Sequence, residues 1–139
     1  MRITTQGDYA LRCILNIARN AGAKPVTIRC IVSDEGLPLD YVEQLLMKLR
    51  RYKLIKSIRG AKGGYILSRS ADAISIKDVL EAVEGDVFEV ICVRQKHAGK
   101  KNCKGSKECV LKGVWLHLKS YIEGYLSSQT VASLLEKSR

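Results

Sequence analysis

The chain has 139 residues, 46% of them hydrophobic, and its 24 Lys and Arg exceed its 14 Asp and Glu to give a formal net charge of +10. This length and composition fit one globular domain with enough apolar surface to fill a core. The positive charge favours a polyanionic partner, either nucleic acid or an anionic membrane surface, although basicity can also serve solubility alone. The sequence contains no run of about 18 apolar residues and no signal-peptide pattern, so we expect a cytoplasmic protein without a membrane span.

Two amphipathic stretches predict the first two helices. Apolar side chains recur at helical spacing over residues 6–20, and Thr5 followed by Asp8 resembles a capping box. A second, short helix is expected to begin after Thr27, a good N-cap, and to end at Gly36, which suits a left-handed C-terminal position. The chain thus opens with a long helix and a short one.

A third helix and a β-ribbon come next. Pro38 is tolerated in a first helical turn, and the residues after it place a stripe of apolar side chains on one face. The stripe consists of Val42, Leu45, Leu46 and Leu49. Residues 54–68 form two β-like runs around GAKGG, whose glycines permit the positive φ values of a hairpin tip. This order predicts a winged helix-turn-helix, in which the third helix enters the major groove of DNA.

The second half of the chain is mainly helical. Ser75 and Asp78 form a capping box for a helix that ends at Gly85. Residues 106–126 predict an amphipathic helix about 30 Å long, and Thr130 precedes a brief terminal helix. We interpret the long helix as a dimerisation helix, with an intramolecular core helix as the alternative. Its predicted dimerisation residues are Leu111, Trp115, Leu118, Ile122 and Tyr125.

The predicted fold class is mainly α with a small β-ribbon. A winged helix-turn-helix domain is expected over residues 1–70, followed by a connecting helix within 71–90. A cysteine-containing loop is expected over residues 91–110, and the dimerisation helix with its C-terminal tail over 106–139.

A stripe of positive charge coincides with the predicted groove-reading elements. Residues 48–62 hold seven Lys or Arg and no acidic residue. They cover the end of the third helix and the wing, so this edge can neutralise DNA phosphates. The predicted DNA-binding residues are Tyr41, Glu43, Gln44, Lys48, Arg51, Arg59 and Lys62.

The residue types suggest different roles at the DNA. Gln44 can pair with adenine and Glu43 with cytosine, while Tyr41 and Lys48 are suited to sugar or phosphate. Arg59 at the wing tip suits a narrow minor groove. Glu43 has an equally simple alternative as a surface acid paired with Lys48.

Three of the five cysteines lie in a lysine-rich stretch with few apolar residues: Cys92, Cys103 and Cys109. Thiolates are soft ligands suited to iron–sulfur clusters or zinc. The absence of a C-x-x-C motif disfavours a zinc ribbon and a thioredoxin-type dithiol. A fourth ligand is needed, and His97 is a candidate within the loop. Cys13 and Cys30 lie in apolar-patterned helices and are expected in the core.

Two other functions are known to use cysteines of this kind. The same fold can use them as a zinc site or as bare thiols that sense oxidants. A small redox enzyme or electron carrier is disfavoured, because no nucleophile–base pair, nucleotide loop or vicinal dithiol accompanies them. We therefore expect a protein that is not an enzyme.

Several stretches together resemble the IscR/NsrR/CymR family of bacterial winged-helix regulators. They are MRITTQGDYALR, DYVEQLLMKLRRYKLIKSIRGAKGGY, ISIKDVLEAVEG and the three downstream cysteines. The resemblance covers nearly the whole chain. It implies a homodimer that binds double-stranded, pseudo-palindromic operators and, in members with the three cysteines, a 2Fe-2S or 4Fe-4S cluster as the sensor. Relatives that sense cysteine metabolism through a partner enzyme lack these cysteines.

The resemblance also bears on the fourth ligand. Iron–sulfur biogenesis regulators have a histidine three residues after the third cysteine, where this chain has Lys112. In nitric-oxide-sensing relatives, an aspartate of the first helix from the other subunit completes a 4Fe-4S cluster, and Asp8 matches that position. The other interpretation of Asp8 is a helix-capping acid.

Overall fold

The computed structural model describes residues 3–22, 24–89 and 109–139. In these ranges the chain is mainly helical with one two-stranded antiparallel ribbon, which confirms the predicted fold class. The elements are α1 (Thr5–Arg19), α2 (Ile28–Glu35), α3 (Leu39–Arg51), β1 (Ile55–Ile58), β2 (Gly64–Leu67), a 3-10 turn (Ala71–Ala73), α4 (Ile76–Glu84), α5 (Val110–Ser128) and α6 (Val131–Lys137).

Helix α1 begins one residue away from the predicted capping box. Thr4 has an extended backbone and is the N-cap, and its side chain accepts a hydrogen bond from the Gly7 N–H. The prediction that Thr5 and Asp8 form the capping box is therefore wrong, because Thr5 already lies inside the helix. Asp8 instead accepts a hydrogen bond from Arg12 Nε at 2.9 Å.

The second and third helices follow their predicted patterns. Helix α2 begins after Thr27, whose side chain accepts from the Cys30 N–H, and ends at Gly36 with a φ of 64°. Helix α3 starts after Pro38, which occupies the N-cap position. Its predicted apolar stripe is buried, so the opposite face of α3 is free to point away from the protein. The buried residues are Val42, Leu45, Leu46 and Leu49.

The wing is hydrogen-bonded to the helical body through its second strand. Strands β1 and β2 pair from Ile55 with Leu67 to Ile58 with Gly64. Val26 and Tyr65 exchange two backbone hydrogen bonds of 3.0 and 2.7 Å, which add a bridge between the wing and the segment before α2.

Gly64 is required by this bridge. Its φ is 151°, and a Cβ at this position would lie 2.6 Å from the Val26 carbonyl oxygen. Gly64→Ala should therefore push the wing away from Val26 and lower the free energy of unfolding by about 1–3 kcal/mol. Chemical denaturation of both proteins measures this loss. Gly22→Ala is the control. Its position has a positive φ of 88° but open space for a Cβ, so this variant measures the cost of backbone strain without a clash.

One hydrophobic core joins the helices of the two chain halves. Cys13 is fully buried, as expected, and burial raises the pKa of its thiol to about 12, with Glu35 adding to the shift. Cys30 is exposed, so its predicted core position is wrong. Ile31 supplies the buried side chain of α2, and Cys30 is about 100° away around the helix. The main core residues are Ala10, Ile14, Ile17, Ile31, Leu45, Leu46, Leu49, Ile74, Val79 and Val131.

The C-terminal helix returns to the N-terminal body. Ser75 and Asp78 form the predicted capping box at the start of α4. Ser75 also bridges Thr130, and the Val131 N–H donates to Ile74 O at 2.8 Å. Val131 is buried in the same core as α1, so α6 belongs structurally to the body that carries α3. Across the described residues, no helix is both long and apolar enough to cross a membrane.

Candidate nucleic-acid interface and sensor segment

The outward face of α3 carries the predicted base-contacting side chains. Glu43 and Gln44 are exposed, as the buried stripe on the opposite face requires. Tyr41 is half-buried, and its ring meets Tyr9 of α1 edge to face, with ring centroids 5.6 Å apart. This aromatic contact fixes one side of α3 against α1. The sequence pattern did not indicate it, because Tyr9 carries no spacing signal.

The positive stripe over residues 48–62 is free of acidic partners. In the part of the chain that the structure describes, none of its seven cations forms an ion pair. Arg51, Arg59 and Lys62 are exposed. Unpaired cations on one edge provide the electrostatic surface that binding to phosphates requires.

Lys48 differs from the other cations of the stripe. It is half-buried, and its ammonium donates a hydrogen bond to the Val83 carbonyl oxygen of α4 at 3.4 Å. The alternative in which Glu43 pairs with Lys48 is not what the structure has, since the ammonium turns towards α4.

Two further features shape this edge. Met47 is 47% exposed on the outward face of α3, where an apolar side chain can contact a thymine methyl group. Lys53 has a φ of 59° in the turn between α3 and β1, which sets the angle between the recognition helix and the wing. A lysine gives no signal for a left-handed conformation, whereas a glycine would have done so.

The long helix α5 leaves a broad apolar surface uncovered. In the single chain, α5 has no fully buried residue, and Trp115 and Leu118 are 42% and 41% exposed. Leu111 and Tyr125 of the predicted dimerisation stripe are exposed as well. An apolar surface of this kind on a protein with a complete core marks an interaction site.

The exposed surface of α5 is rotated relative to the predicted stripe. Ile122 is half-buried on the side that faces α4, together with Leu126. Val114 and Tyr121, which were not among the predicted dimerisation residues, are 51% and 69% exposed. Helical spacing identified the apolar positions, but the side of α5 that packs against α4 depends on the tertiary structure.

An ion pair holds α5 to the end of α4. Lys119 Nζ lies 2.8 Å from Asp86 Oδ2 and 3.7 Å from Glu123 Oε1. The hydrogen bond from Lys119, with a further one from the Phe88 N–H, lowers the pKa of the Asp86 carboxyl, while desolvation opposes the shift. The same hydrogen bond raises the pKa of Lys119.

This ion pair makes the stability of the protein depend on pH. A carboxyl with a lowered pKa in the folded state stabilises the protein above its unfolded pKa of 3.8, and the contribution is lost as pH falls through the lowered value. Asp86→Asn should therefore reduce the free energy of unfolding at neutral pH, and the difference from wild type should shrink at about pH 3. Urea denaturation at both pH values tests this, with the exposed Asp72→Asn as a control that shows little change at either.

Of the predicted cysteine ligands, the structure describes Cys109. Cys92, Cys103 and the candidate ligand His97 lie outside the described residues. Cys109 is a free, half-buried thiol at the N-cap position of α5, and its side chain makes no capping hydrogen bond. Free backbone N–H groups at a helix N-terminus favour an anionic group such as a thiolate-bound cluster. The donor chemistry and the position of Cys109 therefore fit an iron–sulfur cluster.

The candidate fourth ligand Asp8 is accessible. Its side chain is 54% exposed, and its ion pair among the described residues is with Arg12 of the next turn. Within residues 3–22, 24–89 and 109–139, no cluster of three or more His, Cys, Asp or Glu forms a metal site. To act as a ligand, the Asp8 carboxylate would therefore have to give up its ion pair with Arg12 or keep that pair while it binds the cluster.

Comparison with known proteins gives consistent results. The family model described as "Rrf2: Iron-dependent Transcriptional regulator" matches residues 3–137. The HTH-type transcriptional regulator IscR of Escherichia coli is 35% identical over 135 residues, which cover 97% of this chain and 80% of the relative.

Solved structures of regulators share the fold. CymR, the global cysteine regulator of B. subtilis, superposes with a TM-score of 0.82 at 29% identity, covering 99% of this chain and 98% of that one. IscR of T. potens gives a TM-score of 0.78 at 32% identity, covering 100% and 89%. The oxidised form of Staphylococcus aureus CymR gives 0.73 at 30% identity, covering 96% and 95%.

These findings confirm the family resemblance seen in the sequence. They also confirm that the protein is not an enzyme, because the relatives are transcriptional regulators. The uncovered α3 face and the unpaired cations beside it agree with this assignment. The chain belongs to the Rrf2 family and, like IscR and CymR, is a DNA-binding transcriptional regulator.

Proposed function

We propose that this regulator is a homodimer that senses its signal through an iron–sulfur cluster, 2Fe-2S or 4Fe-4S, held by Cys92, Cys103 and Cys109. The observation that carries the proposal is the free Cys109 thiol at the N-terminal end of α5. Its similarity to the E. coli regulator IscR supports the same proposal. Asp8 of the partner subunit or His97 would supply the fourth ligand. The signal would be cluster availability, redox state or nitric oxide.

The proposed dimer explains the uncovered face of α5. Two copies that pair through this face would remove Trp115, Leu118 and Tyr125 from water, and the burial of these apolar side chains would favour association. A homodimer also matches pseudo-palindromic DNA, because two α3 helices can then enter major grooves about one helical turn apart. We assign the DNA contacts to Tyr41, Glu43, Gln44, Arg51, Arg59 and Lys62, and place Lys48 at the edge of this surface.

The proposed domain organisation follows from these roles. Residues 1–70 form the DNA-binding domain, residues 71–90 connect it to the cysteine loop of 91–110, and residues 106–139 supply the dimer helix and a tail that packs back against the core of that domain. A bound cluster would provide a group that gains or loses electrons, and that oxygen or nitric oxide can attack. The protein's own part is to hold the thiolates at the junction of the loop and α5. Such a regulator would act in the cytoplasm, where its operator DNA lies.

The free Cys109 thiol also fits a second function. The loop cysteines would then act as thiols that sense oxidants, or as a zinc site, on the same DNA-binding body. Both alternatives keep the dimer and the DNA interface and change only the chemistry of the sensor.

Anaerobic purification separates these functions. We expect visible absorption together with iron and acid-labile sulfide, and no stoichiometric zinc. Asp8→Ala and His97→Ala should differ, with only the variant that lacks the fourth ligand losing the spectrum. Zinc in place of iron, or protein without any metal, would contradict the cluster and favour the second function. Affinity for DNA, measured at fixed salt before and after metal removal, should differ between the two states.

A further inference from the structure

The C-terminal end of α4 contacts three other helices. We refer to residues 83–86 as the α4 turn. The Val83 carbonyl oxygen accepts hydrogen bonds from Gln6 Nε2 of α1 and from Lys48 Nζ of α3. The ion pair between Asp86 and Lys119 attaches the same turn to α5. The chain then continues from this turn towards the cysteine loop.

The link between the α4 turn and α1 is tight. Glu84 Oε1 accepts hydrogen bonds from the Gly7 N–H at 3.0 Å and from Thr4 Oγ1. A Cβ at Gly7 would lie 2.8 Å from Leu80 Cδ2, so no larger residue fits between the helices without displacement. Movement of the α4 turn would therefore move the start of α1, where the candidate ligand Asp8 lies.

Helices α3 and α4 share the hydrophobic core, and among the described residues one cation of α3, Lys48, adds a hydrogen bond to the α4 turn. Helix α4 has no basic residue in its last turn, so its C-terminal carbonyl groups receive no positive charge from their own helix. Lys48 supplies that charge from the recognition helix, which is favourable at the negative end of a helix dipole. Its ammonium is turned towards the C-terminal end of α4, whereas Arg51 on the same helix is exposed.

We propose that Lys48 is a positioning residue that fixes the recognition helix to the α4 turn, and that this link transmits the state of the cysteine loop to the DNA interface. The claim that this link transmits the state of the cysteine loop rests on the proposed function. The link acts at the C-terminal part of α3, whereas the Tyr9–Tyr41 contact holds its N-terminal part. A displaced α4 turn would then tilt α3, and DNA contacts in a major groove tolerate little tilt.

The salt dependence of DNA binding tests whether Lys48 is a positioning residue. The probe is a duplex that the wild-type protein selects from a random-sequence pool, and the protein is used in its metal-free form. Lys48→Met should leave the slope of log affinity against log salt unchanged, because no phosphate contact is lost. Arg51→Met should reduce the slope by about 0.9 for each subunit contact. An equal reduction in Lys48→Met would assign Lys48 to a phosphate and overturn the proposal.

The ratio of the affinities for DNA in the iron-loaded and metal-free states tests whether the link transmits the state of the cysteine loop. Lys48→Met and Gln6→Ala should each bring this ratio about threefold or more closer to one, and Arg51→Met should leave it unchanged. Gln6→Ala removes the other partner of the Val83 carbonyl without changing the charge. Unchanged ratios in both variants would overturn the coupling. A wild-type ratio of one would instead contradict the proposed switch, and the salt slope would still decide the role of Lys48.

Discussion

Leu118→Asp is expected to convert the protein to a monomer and to lower its affinity for a selected operator duplex by about 100-fold or more. Leu118 lies in the middle of the exposed apolar face of α5. A carboxylate at this position would have to be buried without a partner when two copies associate. A monomer engages one half-site, so it loses the gain that simultaneous binding to two half-sites provides. Sedimentation equilibrium and DNA titration measure the two effects.

Ser120→Asp is the matched control for this prediction. Ser120 is exposed on α5 two residues after Leu118, which at about 100° per residue places it about 160° away from Leu118 around the helix axis. It introduces the same charge outside the apolar face, so the protein should remain a dimer with near wild-type affinity. A dimeric Leu118→Asp variant would show that another surface forms the interface.

Cys109→Ser is expected to lose the cluster, with iron and sulfide falling about tenfold or more below wild type in anaerobic protein. A serine hydroxyl is a poor ligand for the soft metal centres that thiolates bind. The substitution is not expected to disturb folding, because Cys109 occupies the N-cap of α5, where serine is among the preferred residues. The variant should therefore fold at least as well as wild type, and unfolding cannot explain the loss of iron.

Cys30→Ser provides the comparison within the same chain. Cys30 is a free, exposed cysteine on α2, whose side chain lies outside the core. It should keep the iron content and the visible spectrum of wild type. Loss of iron in both variants, or in neither, would contradict the assignment of Cys109 as a ligand. Thermal unfolding of the metal-free proteins confirms that both variants are folded.

Periodicity and capping chemistry were enough to predict much of the fold. The apolar stripe of α3 is buried at every predicted position, because a face with that spacing can be buried only in a helix. Ser75 with Asp78, and Gly36 at the end of α2, are local signals that need no tertiary information. The exposure of Glu43 and Gln44 followed from the buried face opposite them.

Features set by one residue of register or by tertiary contacts were harder to predict. Thr4 and Thr5 are equally good caps by residue type, and Thr4 is favoured because its hydroxyl accepts from the Gly7 N–H and donates to Glu84 Oε1. Cys30 has the apolar neighbours of a core residue but lies on the exposed side of α2. Lys48 belongs to a basic stripe in the sequence, and only the position of α4 distinguishes it from the other cations.

The return of α6 to the body of the protein constrains how the chain folds. The core around α1 includes Val131, which is separated from α1 by more than 110 residues of sequence. This contact can form only after residue 131 has been synthesised, so the DNA-binding body cannot complete its core before that point. Contacts between distant parts of a chain slow folding, because loop closure precedes the gain from packing. A ribosome-bound chain that ends before α6 would therefore expose the apolar surface that Val131 covers.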